Sequence, residues 1–176
     1  MDILDECRSH GVPHLDRVRV NVIRSGQSTA EGWDYLRTLL DGRRVTVIKL
    51  NFPDEGSDEP AAALGWRVLN LGIEPRTNPH NAVELVNEII EKPDAGNWAA
   101  VMAEISNIPE EDDGRTWLIH CVNGNDRTGL ACGHVRVMVD HWSKASAYEE
   151  MVRMGFHPEL IGLKRQWNDL PEMYNG

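Results

Sequence analysis

Residues 117–140 constrain the fold of this chain more than any other stretch. They begin with four mostly apolar residues, 117–120, which have the length and composition of a short buried strand. After Cys121 come five mostly small or polar residues, and then residues 128–140, which are apolar on most sides. Such a run predicts a helix that is buried around most of its circumference. This segment therefore predicts a strand, a short loop and a central buried helix, in that order.

Strand and helix patterns alternate along the rest of the chain. The predicted strands cover 18–26, 45–50, 66–73 and 117–120. Three predicted helices are identified by their start: a capping box formed by Ser28 and Glu31, the cap Ser143, and Pro158. Four further helices are predicted over 61–64, 81–91, 97–105 and 128–140. Strands separated by helices predict one α/β domain over residues 1–176, with its core at about 17–168 and a mainly parallel sheet.

Charge and cysteine content limit what the protein can bind. The formal net charge is −10, from 28 acidic and 18 basic side chains, so the overall field opposes binding to nucleic acid or to an anionic membrane. The three cysteines have no regular spacing, and no signal peptide or membrane-spanning stretch is evident, so we expect a reducing, cytoplasmic location without membrane insertion. Seven scattered histidines lack metal-ligand spacing, and the sequence predicts neither a metal nor another cofactor.

The residues between Cys121 and Thr128 form the pattern that points to chemistry. A loop of this length between a strand and a helix can turn back so that successive backbone N–H groups converge on one anion. Gly124 supplies the backbone freedom that such a turn needs. Arg127 can donate two parallel hydrogen bonds to phosphate oxygens, and the same donors, with the helix dipole, would keep Cys121 as a thiolate. Residues 121–127, which we call the phosphate loop, therefore predict a nucleophile inside an oxyanion cradle.

The run His-Cys-x-x-Gly-x-x-Arg-Thr-Gly at residues 120–129 resembles the active-site signature of the cysteine-dependent protein tyrosine and dual-specificity phosphatases. A looser likeness at 23–27, 142–144 and 155–158 is closest to the bacterial, plant and fungal atypical dual-specificity phosphatases. The resemblance implies a central parallel sheet of four or five strands flanked by helices. It also implies hydrolysis of phosphomonoesters through a phosphocysteine intermediate.

The resemblance also implies roles for individual residues. Cys121 would be the nucleophile, and Arg127 would bind phosphate and stabilise the transition state. Thr128 would donate a hydrogen bond to the thiolate, and His120 would orient the loop. Phosphate would be held by the backbone amides of Val122, Asn123, Gly124, Asn125 and Asp126.

Two carboxylic acids are equal candidates for the proton donor to the leaving group. The family commonly uses an aspartate on a separate loop, and after the third predicted strand this chain has Glu74 but no aspartate. The other candidate is Asp126, because a similar aspartate beside the arginine occurs in phosphatases of lipid or inositol phosphates. The remaining alternatives are Asp54, Glu55 or no dedicated acid at all. Those relatives often carry lysine where this chain has Asn125, which weakens the case for a highly phosphorylated substrate.

Residues outside the phosphate loop have a functional and a structural interpretation. Arg24 and Ser25 either support the loop or touch substrate, or they form a surface turn. Arg76 and His80 could line the rim of the pocket, and His157 is expected to be a structural hydrogen-bonding residue. Cys132 is expected to be a small buried side chain, with the alternative of a resolving thiol for oxidised Cys121. Cys7 is expected to be an ordinary thiol near a mobile terminus.

Several functions compete at this stage. The leading one is a phosphatase whose substrate is a phosphorylated protein or a small phosphate ester, with a phosphoinositide or inositol phosphate as the alternative. A non-catalytic pseudophosphatase usually lacks the cysteine or the arginine, and both are present here. Sulfur transfer of the rhodanese kind also uses a loop cysteine, but the intact Cys-x5-Arg-Thr pattern disfavours it. The sequence leaves the oligomeric state open.

Overall fold

A five-stranded sheet forms the centre of the protein in a computed structural model that describes residues 3–74 and 95–170. The strands are, in chain order, Asp16–Arg19 (β1), Val22–Ser25 (β2), Arg44–Lys49 (β3), Arg67–Asn70 (β4) and Arg115–His120 (β5). Across the sheet the order is β1-β2-β5-β3-β4. Only the pairing of β1 with β2 is antiparallel, and the other three pairings among these strands are parallel.

The parallel pairings bring the carboxyl ends of four strands to one edge of the sheet. Ser25 at the end of β2 and Lys49 at the end of β3 both lie opposite His120, and Asn70 lies opposite Lys49. The phosphate loop begins directly after His120. It therefore meets the segments that follow β2, β3 and β4 at the edge where α/β proteins usually bind ligands.

Helices cover both faces of the sheet. They are, in chain order, Ile3–Ser9 (α1), Ala30–Leu39 (α2), Glu59–Ala63 (α3), Ala95–Ile105 (α4), Asp126–Met138 (α5), Lys144–Arg153 (α6) and Ile161–Asn168 (α7), with a short 3-10 helix at Pro53–Glu55. Along β5, Trp117 and Ile119 belong to the apolar cluster with α4 to α7, and Leu118 belongs to the cluster with α1 and α2. This alternation places hydrophobic contacts on both faces of a central strand, as the pleat of a β-strand requires.

Helix α5 packs closely against the two helices that follow it. A methyl group built on Gly133 would lie 2.3 Å from the sulfur of Met151 in α6 and 2.9 Å from the ring of Trp167 in α7. Glycine at this position therefore lets the three helices approach. The prediction of a central buried helix after the phosphate loop is confirmed, and so is the predicted α/β fold class.

The prediction of one continuous first strand is wrong. The chain forms two antiparallel strands, β1 and β2, that reverse direction at residues 20–21. Val20 is exposed at the turn, whereas Asn21 is buried and its side chain donates a hydrogen bond to the carbonyl of Pro109 at 3.0 Å. The valines alternate straight through the turn, so their periodicity does not reveal where the chain reverses.

The predicted ends of the helices are partly correct. The cap of α2 is Thr29 and not Ser28, because the Thr29 hydroxyl accepts the hydrogen bond from the N–H of Gly32 at 3.1 Å. The predicted cap Ser143 is confirmed, since its hydroxyl accepts from the N–H of Ser146 at 3.1 Å. The last helix begins at residue 161 and not at 158. The helix predicted over 81–91 lies outside the described residues.

The structure also bears on Cys7 and on membrane-spanning helices. Cys7 is not an ordinary thiol near a mobile terminus, because it lies in α1 and is buried in the cluster that covers one face of the sheet. Burial also raises the pKa of this thiol. Among the helices that the structure describes, none has the length and apolar character needed to cross a membrane.

Candidate active site

The phosphate loop folds back on Cys121. The backbone N–H of Gly124 donates a hydrogen bond to the sulfur of Cys121 at 3.3 Å. Gly124 has a φ of +79°, and a Cβ atom there would lie 2.6 Å from the backbone nitrogen of Gly26 and 2.7 Å from the carbonyl carbon of Ser25. A side chain would thus be strained and would also collide with the end of β2. The thiol lies in the concave side of a loop that only glycine can close.

Donors from elsewhere in the chain hold the outer side of the loop. They bind three successive loop carbonyls: the Gln27 N–H binds Val122 at 2.8 Å, the His14 Nδ1 binds Asn123, and the Arg24 Nη2 binds Gly124 at 2.5 Å. In a trans peptide the C=O and the following N–H point in opposite directions. Pulling these carbonyls outward therefore turns the next three N–H groups inward, toward the space beside Cys121, where they can bind an anion.

Arg127 lies in the first turn of α5 and is buried with a carboxylate partner. Its Nη1 and Nη2 donate to the two carboxylate oxygens of Glu55 at 2.8 and 3.0 Å, and Nη1 lies 3.4 and 3.3 Å from the carbonyls of Leu50 and Ile73. The hydrogen bonds from Arg127 lower the pKa of Glu55. Burial alone would lower the pKa of Arg127, but Glu55 and the charge of Cys121 outweigh it and raise that pKa. Both groups are therefore fully charged at neutral pH.

The contact with Glu55 leaves one edge of the Arg127 guanidinium available. A guanidinium has five N–H donors in one plane, and a carboxylate that binds Nη1 and Nη2 end-on uses only two of them. The edge formed by Nε and Nη2 carries the remaining donors, and both the charge of Cys121 and a hydrogen bond to its sulfur contribute to the raised pKa of this group. Glu55 thus fixes the plane of the guanidinium while the free edge can still bind two oxygens of a phosphate.

His120 is buried beside the loop and is paired with Asp58. The distance from His120 Nε2 to Asp58 Oδ2 is 2.7 Å, and the other carboxylate oxygen of Asp58 accepts from Gln27 Nε2 at 2.9 Å. Burial by itself would raise the pKa of Asp58, but the hydrogen bonds from His120 and Gln27 outweigh it and hold the pKa below the usual value for aspartate. The same Gln27 also binds the loop through its backbone. His120 therefore belongs to a buried polar network that locks the start of the loop.

Asp126 lies at the other end of the loop and is paired with His157. Its Oδ1 accepts hydrogen bonds from the backbone N–H of His157 at 2.8 Å and from His157 Nδ1 at 2.9 Å. The hydrogen bond and the charge of Asp126 raise the pKa of His157. Both contacts direct the Asp126 carboxylate toward the connection between α6 and α7. They match the expected role of His157 as a hydrogen-bonding residue.

Two hydroxyl groups near the loop lack partners within the described residues. The expected hydrogen bond from Thr128 to the Cys121 sulfur is not formed, because the buried Thr128 hydroxyl has no partner in residues 3–74 or 95–170. The same is true of the Ser25 hydroxyl. Ser25 and Arg24 are both buried, so the alternative of a surface turn is wrong for both. Arg24 supports the loop from its outer side.

The remaining sequence-based candidates lie at different distances from the loop. Glu74 is exposed and follows Ile73, whose carbonyl lies 3.3 Å from Arg127 Nη1. Arg76 and His80 lie outside the described residues. Cys132 is fully buried in α5, and burial raises its pKa to about 11. Since the thiol is the unreactive form, this favours the packing role of Cys132 over the resolving role.

Comparisons with known proteins agree with this geometry. No model of a known protein family matches the chain. Over 42 residues the chain is 50% identical to the dual specificity protein phosphatase TpbA of Pseudomonas aeruginosa strain UCBPP-PA14, and this stretch makes up 24% of the chain and 19% of TpbA. The match thus spans about a fifth of the curated relative's length.

Solved structures match over most of the chain. The crystal structure of P. aeruginosa TpbA has a TM-score of 0.59 at 22% identity and covers 92% of this chain and 91% of that one. The core catalytic domain of the PP-IP phosphatase SIW14 from S. cerevisiae has a TM-score of 0.57 at 17% identity, covering 91% and 97%. Tk-PTP in its active form has a TM-score of 0.56 at 19% identity, covering 90% and 99%. The chain shares the fold of these phosphatases, and the predicted resemblance to the dual-specificity phosphatases is confirmed.

The sequence gives no indication that Asp58, His14 and Gln27 hold the loop. It offers Glu55 as a candidate proton donor and not as the partner of Arg127. Asp58 sits in an acidic, turn-rich segment and His14 follows a proline, so neither stands out from ordinary surface residues. For Glu55 the sequence gives a weak indication of this role. A buried arginine needs a carboxylate partner, and Glu55 lies in the segment after β3, which reaches the same edge of the sheet as the loop.

Proposed function

We propose that the protein hydrolyses phosphate monoesters with Cys121 as the nucleophile. The observation that carries this proposal is the phosphate loop, in which the N–H of Gly124 donates to the Cys121 sulfur while outer partners turn the neighbouring amides toward it. The comparisons support it. TpbA is named a dual specificity protein phosphatase, a structure of TpbA contains pTyr, and SIW14 is named a PP-IP phosphatase.

The reaction proceeds in two displacements at phosphorus. The Cys121 thiolate attacks, an S–P bond forms and the bond from phosphorus to the ester oxygen breaks, so that the alcohol or phenol leaves with one added proton. A water molecule then attacks the phosphocysteine, the S–P bond breaks and inorganic phosphate is released with the thiolate restored. Arg127 and the loop amides bind the other three phosphate oxygens in both steps. Their fixed positions stabilise the charge that builds up on those oxygens.

The contacts favour Glu74 over Glu55 and Asp126 as the proton donor. Both oxygens of Glu55 bind Arg127, and its lowered pKa keeps it ionised, which makes it a poor acid. His157 directs Asp126 toward the α6–α7 connection. Glu74 is exposed and makes no hydrogen bond or ion pair with the described part of the chain, so its carboxyl group is available to a leaving group.

The primary test is hydrolysis of p-nitrophenyl phosphate by the wild type and by Cys121→Ser. We expect the serine variant to lose at least about a thousandfold in kcat/KM, because a serine hydroxyl is a far weaker nucleophile than a thiolate. Cys132→Ala, at another buried cysteine, is the matched control and should keep near wild-type activity. Activity that survives in Cys121→Ser would disprove the mechanism. Folded wild-type protein that binds phosphate without hydrolysing any ester would be a binding module instead.

The proton donor is tested with two leaving groups. Phenyl phosphate releases a more basic phenolate than p-nitrophenyl phosphate, so its hydrolysis depends more strongly on protonation. We expect Glu74→Gln to slow phenyl phosphate hydrolysis about tenfold or more while affecting p-nitrophenyl phosphate much less. Asp126→Asn should affect both substrates alike. If the selective loss appears in Asp126→Asn, Asp126 is the acid.

The substrate class is tested by trapping. The Cys121→Ser variant keeps the cradle and Arg127, so it should bind a substrate without turning it over. Binding of a phosphotyrosine peptide is compared with binding of inositol hexakisphosphate, which separates a protein substrate from a highly phosphorylated small molecule. Asn125, in place of a lysine, favours the peptide because a cluster of phosphates needs more positive charge than this loop provides.

A further inference from the structure

A groove adjoins the outer side of the phosphate loop. Its volume is about 590 Å³, and it lies between residues 13–16, before and at the start of β1, and residues 153–155, at the end of α6 and just after it. Arg24 and Asn125 also line it. Because Asn125 belongs to the phosphate loop, the groove and the loop share a wall. We call this cavity the back groove.

The back groove is positively charged. Three arginines, Arg8, Arg24 and Arg153, line it, and Asp16 is the carboxylate among the lining residues. Arg8 is paired with Asp5 at 2.6 Å and lies 4.0 Å from Asp16, and Arg153 lies 3.8 Å from Glu150. Arg24 is the lining arginine that has no carboxylate partner within the described residues. The chain as a whole has a formal net charge of −10. A local excess of cations against that background indicates a site that attracts anions.

Arg24 is the strongest indication of an anion site. Its side chain is buried, with a residue exposure of 4%, and within the described residues no carboxylate forms an ion pair with it. Its Nη2 binds the carbonyl of Gly124, and its Nε is buried without a partner. A buried charge without a counter-charge costs several kcal/mol. An anion in the back groove would supply that counter-charge.

The back groove is separate from the place of the reacting phosphate. Arg24 binds the carbonyl side of the Gly124–Asn125 peptide, and the N–H of that peptide points the opposite way, into the cradle beside Cys121. His14 binds the preceding carbonyl, of Asn123, from the same outer side. An anion that meets Arg24 in the groove would therefore lie across the loop from a phosphate bound at Cys121.

We propose that the back groove binds a second small anion that carries a phosphate or a carboxylate group. Arg24 and Arg153 bind its oxygens, and Arg8 lies at the rim. The consequence for catalysis rests on the proposed phosphatase function. The two anions repel each other, and both are attracted by the positive charge of Arg24. Each therefore weakens the binding of the other, and thermodynamic linkage requires the two changes in affinity to be equal.

The binding test uses inorganic phosphate and isothermal titration calorimetry. We expect two phosphate ions per wild-type chain, and one in Arg127→Ala, which loses the cradle site but keeps the groove. Arg153→Glu should keep the cradle site and bind the second phosphate at least about tenfold more weakly. Arg37→Glu is the matched control and should behave as the wild type. Both arginines are mostly exposed, with side-chain exposures of 58% for Arg37 and 72% for Arg153, and both lie 3.8 Å from an acidic residue three positions earlier, so the two reversals are alike in type. The free energy of unfolding of both variants is measured by urea denaturation to confirm that each is folded.

The kinetic test uses succinate, a dicarboxylate, as the second probe. Succinate should raise the KM for p-nitrophenyl phosphate severalfold in the wild type and in Arg37→Glu but not in Arg153→Glu, whose cradle is intact. If the back groove binds phosphate but does not bind succinate, its ligand carries a phosphate group and not a carboxylate group. The proposal is wrong if the wild type binds a single phosphate that Arg127→Ala abolishes, or if Arg153→Glu and Arg37→Glu bind the second phosphate equally. Wild-type protein that binds two phosphates but hydrolyses no ester would refute the phosphatase function alone.

Discussion

Two histidine–aspartate pairs of similar length flank the phosphate loop in very different surroundings. His120 and Asp58 are 2.7 Å apart at the start of the loop, with side-chain exposures of 1% and 2%. His157 and Asp126 are 2.9 Å apart at its end, with exposures of 54% and 19%. The same histidine–aspartate contact is thus buried before the nucleophile and exposed to water at the far end of the loop.

The difference in burial changes what each pair does. Removing one partner of a buried pair leaves an unsatisfied polar group in a medium of low dielectric constant, whereas water replaces a lost partner at an exposed pair. The buried pair therefore holds the end of β5 and the first residue of the loop in one arrangement. The exposed pair contributes little to stability, and it leaves its end of the loop responsive to solvent and pH.

Asp58→Ala should have the largest effect. The substitution leaves His120 buried without the carboxylate that binds its Nε2, and it also removes the acceptor of Gln27. We expect the free energy of unfolding to fall by about 3–5 kcal/mol, measured by urea denaturation at pH 7. Since the pKa of Asp58 is lowered in the folded state, this stabilisation is present above the ordinary pKa of aspartate and is lost as the pH falls through the folded value.

Asp126→Ala is the matched control, because it removes the same side chain from the exposed pair. Its cost should be about 1 kcal/mol or less, the usual value for an exposed ion pair. Equal losses in the two variants would show that burial does not distinguish the pairs, and the comparison would fail.

Glu55→Gln should have an intermediate effect, on activity more than on stability. Glu55 and Arg127 form an ion pair in which the arginine is buried and the glutamate is partly exposed. Glutamine cannot accept two hydrogen bonds with a full negative charge, so the guanidinium plane becomes less fixed. We expect kcat/KM for p-nitrophenyl phosphate to fall about tenfold, a loss of about 1.4 kcal/mol.

The control for this experiment is Glu59→Gln, an exposed carboxylate at the start of α3, four residues after Glu55. It should leave kcat/KM within about twofold of the wild type, because Arg127 receives its carboxylate contacts from Glu55. A rise in activity in Glu55→Gln would mean that Glu55 blocks Arg127 instead of orienting it.

The sequence predicts the parts of the site that are contiguous in the chain. Strand β5, the phosphate loop and α5 follow one another, so local periodicity and the spacing of Cys121 and Arg127 are enough to order them. The close approach that requires Gly124 also follows, because a loop of five residues between these elements has to reverse sharply.

The partners of the loop could not be predicted in the same way. Asp58 precedes His120 by 62 residues, Glu55 precedes Arg127 by 72 and His14 precedes Asn123 by 109. Which distant side chain meets the loop depends on strand order and on the path of each connection. The error in the first strand has a related cause, because the alternation of valines continues through the turn and the reversal is set by pairing across the sheet.

The smallest effect should come from His157→Gln, and it should depend on pH. The contact with Asp126 raises the pKa of His157, so the charged pair stabilises the fold fully below the ordinary histidine pKa, about 6.5. This contribution is lost as the pH rises through the higher folded value, while the bond from the His157 backbone N–H to Asp126 persists at every pH. Urea denaturation should therefore show a destabilisation of less than about 1 kcal/mol at pH 5.5, since the pair is exposed, and a smaller one at pH 8.5. If the destabilisation is the same at pH 5.5 and pH 8.5, the His157 ring stabilises the fold through packing and not through its charge. Exposure to water would then not distinguish the pair of His157 and Asp126 from the buried pair.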